Sequence, residues 1–178
     1  MMAAPTEFSG DVLKLGSDIN TDVIYPGKYI LVYEPEEMKK HLLEGLGPEV
    51  SSRVRPGRII LAGENFGCGS SREQAAGAIK AAGIPAVIAK SFARIFFRNA
   101  VNFGLLLITC PGAADAVQDG ERITVNIRTG KISALGGQAF SFPSLPKFLM
   151  DIIDAGGLVA HGKNIIAARK TAQGGEKT

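Results

Sequence analysis

The sequence predicts an α/β fold with a small parallel βαβαβ core and added β hairpins. Three short apolar runs, Ile59–Ala62, Ala86–Ala89 and Leu105–Ile108, are typical of buried strands, and helical patterns separate them. Connections of this length favour right-handed crossovers and a parallel sheet. After residue 120 the pattern changes to alternating apolar and polar residues, which is typical of antiparallel strands.

The segment before the first buried run predicts one strand and one helix. Val12–Leu15 is a short strand candidate, and residues 16–22 are rich in turn-forming side chains. Pro35 then opens a helix, because proline suits the first helical position and the two glutamates after it suit the positive end of the helix dipole. We expect that helix to end near Gly45–Gly47.

Two helices are expected between the buried runs. The first runs from about Ser71, and one face of it is apolar at Ala75, Ala76, Ile79 and Ala82. The second begins after Ser91, which is predicted to cap it, and its apolar positions are Phe92, Ile95, Phe96 and Val101.

The last part of the chain predicts β hairpins, a helix and a tail. Three antiparallel strands are expected at 122–127, 131–135 and 138–142, with a Thr129–Gly130 turn between the first two. A helix is then expected over 146–155, where two glycines stop it. We therefore expect one domain over residues 1–162 and a mobile, polar, basic tail over 163–178.

Composition narrows the class of protein. The chain has 178 residues, enough for a single core, and no apolar run approaches the roughly 20 residues of a membrane helix. The start of the chain has neither the basic nor the apolar region of a signal peptide, so a cytoplasmic location is expected. The net charge of +3 comes partly from a tail without aromatic residues, which argues against nucleic-acid binding.

The chain has two cysteines, Cys68 and Cys110, and neither belongs to a C-x-x-C pair. A zinc site or a redox motif is therefore not expected. An iron–sulfur cluster usually takes three or four cysteines, so this chain cannot hold one alone. We expect Cys110 to be a buried thiol and Cys68 to be a small residue that packs in its loop.

The glycine-rich loop Gly63–Glu73 carries the strongest chemical signal. It leaves a buried strand and enters a helix, which is where ligands bind in open α/β sheets. Ser70 and Glu73 fit a capping box, and free N–H groups at the helix start, together with Arg72, would bind an anion. The loop fits neither a dinucleotide fingerprint nor a P-loop. From the residues alone, Ser70 as a mere helix cap and Arg72 as a mere surface charge stay open.

Four segments resemble one family in order along the chain. Gly63–Gln74 and Ala86–Gly104 look like the swivel domain of the aconitase superfamily. Asp18–Tyr29 and Asp154–Val159 resemble motifs of the small subunits of its two-subunit members, isopropylmalate dehydratase and homoaconitase. The match extends from about Asp11 and covers most of the chain. An aconitase swivelling-domain fold over residues 1–162 is therefore expected.

The resemblance implies a hydro-lyase that is active only with a large subunit. In the family the first serine of the S-S-R motif is the catalytic base, and the second serine and the arginine bind substrate carboxylate. These positions are Ser70, Ser71 and Arg72 here. Asp22, in the opening motif, is expected to reach the site and to orient a serine or a basic group, with a turn-capping role as the alternative.

The family places a [4Fe-4S] cluster and the catalytic histidines in the large domains, so this chain is expected to hold no metal and to form a heterodimer. Its own histidines, His41 on an amphipathic helix and His161 near the tail, are expected to be non-catalytic.

The resemblance also suggests a substrate. Relatives whose substrate has a third carboxylate place an arginine after the opening motif to bind it. Here Leu31, Val32 and Tyr33 follow the motif instead. An apolar loop favours an alkyl group, at about 0.8 kcal/mol per buried CH₂. We therefore expect interconversion of 2-isopropylmalate and 3-isopropylmalate in leucine biosynthesis. Homoaconitase, a citramalate or dimethylmalate dehydratase and a non-enzymatic carboxylate-binding module are the alternatives. The three side chains could also merely pack under the loop.

Overall fold

The computed structural model describes residues 6–174, which form seven strands and a set of mostly short helices. The strands are β1 Glu7–Lys14, β2 Ile59–Ala62, β3 Ala86–Ala89, β4 Leu106–Thr109, β5 Arg122–Asn126, β6 Lys131–Ala134 and β7 Ala139–Ser141. The α-helices are α1 Thr21–Ile24, α2 Pro35–Met38, α3 Pro48–Ser51, α4 Glu73–Ala81, α5 Arg94–Asn102, α6 Pro111–Ala116, α7 Lys147–Asp154 and α8 Leu158–Gly174. Short 3₁₀ turns lie at Gly27–Tyr29, Lys39–His41, Glu44–Leu46 and Leu135–Gly137.

All seven strands belong to one sheet, in the order β4-β3-β2-β1-β5-β6-β7. Strands β1 to β4 are parallel, and β5 to β7 are antiparallel. The predicted α/β class with a parallel core and added hairpins is confirmed. The parallel part has four strands, one more than the βαβαβ core, because β1 pairs with β2 through Val12 and Ile59.

Strand β1 starts earlier than predicted, at Glu7 instead of Val12. Its first half pairs with β5, from Glu7 opposite Asn126 to Asp11 opposite Arg122. These residues are mostly polar and exposed, so the apolar pattern does not mark them as strand. Tertiary pairing with β5 extends the strand beyond its apolar part.

The sheet separates two apolar cores, because successive strand residues point to opposite faces. Leu13, Ile60 and Val87 belong to the core that α4 and α5 cover. Val12, Ile59 and Ile88 belong to the core on the other face, which α6 and α7 help to cover. Burying one such Leu, Ile or Val side chain contributes about 1.5–3 kcal/mol, so the two cores hold the parallel strands rigidly.

The helix predicted from Pro35 to about Gly45 is much shorter. It ends at Met38, a 3₁₀ turn follows, and Leu43 adopts a left-handed conformation with φ of 60°. Leu42 and Leu43 are fully buried, and the Leu43 N–H donates to Ile24 O at 2.8 Å. Burial of both leucines and this backbone bond override the helical pattern.

Neither predicted helix cap is present. Helix α4 begins at Glu73 with Arg72 as its N-cap residue, and no side chain caps it, so the capping box of Ser70 and Glu73 is wrong. Helix α5 begins after Ala93 instead of Ser91, and Ile95 is 48% exposed instead of buried. Both serines instead contact other loops, as described below: Ser70 lies against Thr21, and Ser91 accepts a hydrogen bond from the Asn65 N–H.

The chain after Gly162 is helical as far as Gly174. Helix α8 runs from Leu158 to Gly174, so the predicted domain boundary at residue 162 falls inside it. Residues 175–178, the last part of the predicted tail, lie outside the described residues, as do residues 1–5. The mobility of the tail stays a prediction. Between residues 6 and 174, no helix is both long enough and apolar enough to cross a membrane.

Candidate active site at the carboxyl edge of the parallel strands

Three loops meet where β1, β2 and β3 end. The Gly67 N–H donates to Ile19 O, and the Thr21 N–H donates to Cys68 O, each at 2.8 Å. The glycine-rich loop is also joined to the loop after β3, because the Phe66 N–H donates to Ser91 O at 3.0 Å. The glycine-rich loop is therefore held between its two neighbours by backbone hydrogen bonds, at the edge of the sheet that the sequence predicts.

Side chains lock this loop in place. Phe66 is fully buried and packs edge-on against Phe92 and Phe96. Gly67 has φ of +79°, and a Cβ there would lie 2.1 Å from the Phe96 ring. Glycine is therefore required at this position, both for its backbone conformation and for the approach of Phe96. Ser91 accepts from the Asn65 N–H at 2.8 Å, which explains why it does not cap α5.

Thr21 positions Ser70. Its hydroxyl donates to Ser70 O at 3.0 Å and lies 3.4 Å from Ser70 Oγ. Thr21 is buried, whereas Ser70 and Ser71 are exposed. Gly69, with φ of +93°, turns the chain against the Thr21 hydroxyl. Ser70 is thus presented to solvent by a fixed backbone and is not occupied as a helix cap.

Arg72 is buried, so its interpretation as a surface charge is wrong. It is 8% exposed, and its Nη1 donates to Asp22 Oδ1 at 2.6 Å and to Tyr25 O at 2.8 Å. Asp22 therefore lies against Arg72, and Asn20 caps the turn by accepting from the Val23 N–H. A Cβ on Gly27 would lie 3.4 Å from Arg72 Nη2, so glycine leaves space beside this nitrogen.

The loop with the three predicted specificity residues lies next to Arg72. The buried Gln74 side chain donates to Ile30 O at 2.9 Å and so ties the loop to α4. Leu31 is 83% exposed and Tyr33 is 61% exposed. Val32 packs against the core under the loop, as the alternative interpretation of this segment has it. Leu31 and Tyr33 are therefore the exposed side chains among the three predicted specificity residues.

A polar cluster holds the other side of this loop and contains Lys28, Tyr29, His41 and Glu44. The His41 ring stacks on Tyr29 with 3.5 Å between centroids, and its Nδ1 lies 3.1 Å from Glu44 Oε2. Lys28 Nζ and the Tyr29 hydroxyl donate to Glu44 Oε1 at 2.6 and 3.0 Å. The hydrogen bond from Lys28, with those from Tyr29 and His41, lowers the pKa of Glu44 from 4.5 to about 2.

The cysteines and histidines lie apart from one another. Cys68 is half-buried in the glycine-rich loop, and Cys110 is buried with its Sγ 3.6 Å from Ser141 O. His41 is in the polar cluster, and His161 lies on α8. In the part of the chain that the structure describes, no three His, Cys, Asp or Glu side chains are arranged to hold a metal ion.

Pattern reasoning missed two contacts of the site, those of the Tyr25 carbonyl and of Gln74. No sequence signal could reveal the carbonyl, because every residue has one. Gln74 had a weak signal, since it is a long polar side chain at the start of an alanine-rich helix that is buried almost all round. A buried polar side chain needs a partner, and a nearby loop is the usual source of one.

Comparison with known proteins agrees with this geometry. A profile of the aconitase C-terminal domain matches residues 16–113. The chain is 54% identical to "3-isopropylmalate dehydratase small subunit 1" of Methanopyrus kandleri over 145 residues, which are 81% of this chain and 85% of that protein. It is 50% identical to the "3-isopropylmalate dehydratase small subunit" of Heliobacterium modesticaldum over 92% of this chain and 99% of that protein.

A solved structure agrees as well. The crystal structure of a 3-isopropylmalate dehydratase chain from Methanocaldococcus jannaschii superposes with a TM-score of 0.88 at 39% identity, covering 93% of this chain and 99% of that one. The similarity thus extends over both halves of the sheet and includes the loops that carry Ser70 and Arg72. The chain belongs to the aconitase C-terminal domain family and, within it, to the 3-isopropylmalate dehydratase small subunits.

Proposed function

We propose that this chain is the small subunit of a two-subunit 3-isopropylmalate dehydratase. Such a hydro-lyase interconverts 2-isopropylmalate and 3-isopropylmalate by dehydration and rehydration, in leucine biosynthesis. The observation that carries the proposal is the pairing of an exposed Ser70, positioned by Thr21, with a buried, pre-oriented Arg72 on one loop. The names of the relatives support it at 50% identity or more over most of the chain.

Ser70 is the proposed base. Dehydration breaks a C–H bond and a C–O bond on adjacent carbons and forms a C=C bond, so one group must accept the carbon-bound proton. A serine alkoxide is far too basic to persist in water and needs a dry site with hydrogen-bond donors. Ser70 is exposed in the isolated chain. We therefore expect catalysis only when a partner covers this edge of the sheet.

Arg72 and Ser71 are the proposed carboxylate ligands. Arg72 is already fixed by Asp22 and by Tyr25 O, and both contacts use Nη1. Its Nε is enclosed, so Nη2, beside Gly27, is the nitrogen that can bind a carboxylate without first losing side-chain freedom. In this proposal Asp22 is a positioning residue, because it touches Arg72. Ser71 is exposed beside Arg72 and supplies a further donor.

The partner is the large subunit that the relatives' names imply by the words "small subunit". We propose that it carries a [4Fe-4S] cluster, which would act as the Lewis acid for the leaving hydroxyl group. This chain does not fit such a cluster: it has two cysteines, one in the glycine-rich loop and one buried near β7. The chain's own contribution is the base, the carboxylate ligands and the loop around Leu31. Action in the cytoplasm is part of the same proposal.

A second substrate, citramalate, is compatible with the same site. One relative, 46% identical over 89% of this chain, is named "Isopropylmalate/citramalate isomerase small subunit". The exposed Leu31 and Tyr33 favour an alkyl group of either size over a third carboxylate. Homocitrate is disfavoured, because the segment from Tyr29 to Pro35 has no arginine to pair with that carboxylate.

The test is anaerobic co-expression with the large subunit encoded in the same genome, followed by kcat/KM measurements on 3-isopropylmalate, citramalate and homocitrate. We expect 3-isopropylmalate to be the best substrate and homocitrate the poorest. The isolated chain, taken through the same anaerobic iron–sulfur reconstitution, is the control and should have neither activity nor visible absorbance. An inactive but stable complex would contradict the proposal and favour a carboxylate-binding module.

A further inference from the structure

A cavity unrelated to the candidate active site lies at the opposite end of β2. Its volume is about 260 Å³, and it is lined by Ser9–Asp11, Arg55–Arg58 and Arg122. Ser70 follows the carboxyl end of β2, whereas this cavity lies at its amino end. The four residues of β2 extend about 13 Å at the usual rise of a parallel strand, so the two places cannot share one small ligand.

Arg58 is a buried cation in the wall of this cavity. It is only 9% exposed, and its Nη1 donates to Arg53 O at 2.8 Å. Its Nε is enclosed, and no group among residues 6–174 accepts a hydrogen bond from it. Burial, followed by the positive charges of Arg53 and Arg55, lowers the pKa of Arg58. A guanidinium stays charged at neutral pH, and the carboxylates near this charge are those of Asp119 and Asp11, each of which already pairs with another arginine.

The remaining lining adds more positive charge than negative. Arg55 and Arg122 are exposed, and Arg122 Nη1 lies 3.2 Å from Asp11 Oδ1. Asp11 is the single carboxylate among the lining residues, against three arginines, so the lining has a net charge of +2. Nearby, Arg53 and Asp119 form their own ion pair and cancel each other. A small anion with two negative charges would balance the lining.

The backbone fixes the shape of the cavity. A Cβ on Gly10 would lie 2.2 Å from Gly57 O, so the segment before β2 packs directly on β1 at a glycine. Gly57 has φ of +80° with open space where its Cβ would be, and its N–H donates to Gly83 O at 2.9 Å. Close backbone packing therefore fixes the part of the wall that Gly10 and Gly57 form.

We propose that this cavity binds a small oxyanion with two negative charges, either phosphate or a dicarboxylate. Arg55 and Arg122 supply exposed donors at the wall, where Ser9 also lies with its hydroxyl hydrogen-bonded to Thr124 Oγ1 at 2.7 Å. Arg58 supplies a buried positive charge behind them. The bound anion joins β1, β5 and the segment before β2, and therefore stabilises the chain. The proposal does not depend on the proposed enzymatic function, because no residue of the candidate active site takes part.

The experiment uses the full-length chain, labelled with ¹⁵N and titrated with sodium phosphate or sodium succinate at constant ionic strength set by sodium chloride. Amide shifts give the dissociation constant and place the ligand, and thermal melts at the same concentrations report stabilisation. We expect saturable shifts centred on Gly10 and Gly57. Arg55→Gln with Arg122→Gln should weaken binding at least tenfold. Arg94→Gln with Arg98→Gln removes two exposed arginines of α5 instead and should leave binding unchanged.

The outcomes separate the two ligands and the two sites. Saturation by phosphate alone or by succinate alone supports the proposal and identifies the ligand class. Shifts centred on Gly27 and Ser71 would overturn it, because the anion would then occupy the candidate active site. Equal affinity in the two double variants, or no saturable shift with either anion, would also overturn it. Arg55→Gln alone provides the same comparison if the double variant does not give a native spectrum.

Discussion

The parallel and antiparallel halves of the sheet reverse the chain in different ways. Around the antiparallel strands, left-handed backbone in the described chain falls on glycine: Gly120, Gly130, Gly136 and Gly137. Around the parallel strands it also falls on residues with side chains: Asp18, Leu43 and Asn65. Such a conformation costs a bulky residue such as leucine about 1–2 kcal/mol and costs Asp or Asn less, so Leu43 holds most of the strain that the antiparallel half avoids.

Tertiary contacts hold each strained residue. The Asp18 N–H donates to Glu64 O at 2.8 Å, and the Asn65 side chain donates to Asp18 Oδ1 at 2.9 Å. Leu43 is fully buried and bonded to Ile24 O. All three lie in the segments that carry or brace the candidate active site. The hairpin turns therefore need only their own glycines, whereas the candidate active site depends on contacts between loops that are distant in sequence.

The largest expected difference between the halves is catalytic. In the assembled complex, Ser70→Ala should lower kcat about 10²–10⁴-fold, the usual contribution of a general base. Ser133→Ala removes a hydroxyl from an exposed position on β6 and should change kcat less than about twofold. Steady-state kinetics on both purified complexes provide the measurement. Near-normal kcat in Ser70→Ala would mean that Ser70 is not the catalytic base.

The next difference concerns stability. Gly67 and Gly136 share φ of +79°, but a Cβ on Gly67 would meet the buried Phe96, whereas a Cβ on Gly136 would meet nothing within 4 Å. Gly136→Ala should therefore cost about 1–2 kcal/mol from backbone strain alone. Gly67→Ala should cost about 2–5 kcal/mol, since overpacking adds to the strain.

Urea unfolding monitored by circular dichroism measures both changes. Equal losses in the two variants would mean that the glycine-rich loop is no more tightly packed than the turn before β7.

A smaller difference concerns specificity. Leu31→Arg places a cation where an alkyl group is expected, so kcat/KM for 3-isopropylmalate should fall about tenfold relative to that for homocitrate. Leu135→Arg makes the same change at a position near β7 that is 68% exposed and should leave the ratio unchanged. The two rates are measured side by side in each complex. A ratio that does not move in Leu31→Arg would show that the loop does not read the third substituent.

The smallest expected effect comes from the polar cluster beside the loop that carries Leu31, Val32 and Tyr33. The pKa of Glu44 is lowered from 4.5 to about 2 by Lys28 and its other donors, so its stabilising effect is complete above pH 4.5. That effect is lost as the pH falls toward 2, where the folded protein also takes up the proton. Glu44→Gln should therefore lower Tm slightly at pH 7 and by less at pH 2, where about half of the folded molecules are protonated at Glu44.

Glu49→Gln removes one exposed carboxylate that does not belong to the cluster and is the control. Thermal melts across this pH range measure both variants. A deficit in Glu44→Gln that is as large at pH 2 as at pH 7 would point to lost packing instead of lost charge.

The sequence-based predictions are correct where local interactions determine the structure and wrong where contacts between distant residues do. β2 and β3 coincide with their apolar runs, because a fully buried strand needs little more than four consecutive apolar residues. The hairpin at Thr129–Gly130 was also predicted, since its turn is local. The helix does begin at Pro35, but its predicted end near Gly45–Gly47 and both serine caps were wrong. Burial of two leucines and hydrogen bonds from distant loops decided those segments.

The sequence by itself determined the fold class, the three buried strand runs and the loop that carries Ser70, Ser71 and Arg72. Those features follow from apolar periodicity, glycine spacing and a motif that resembles one family. Only the tertiary structure decided that Arg72 is buried against Asp22 and Tyr25 O, and that Thr21 positions Ser70. It also brought Arg55, Arg58 and Arg122 around one cavity. These contacts join residues more than forty positions apart, and no local pattern encodes which distant partner a polar group will find.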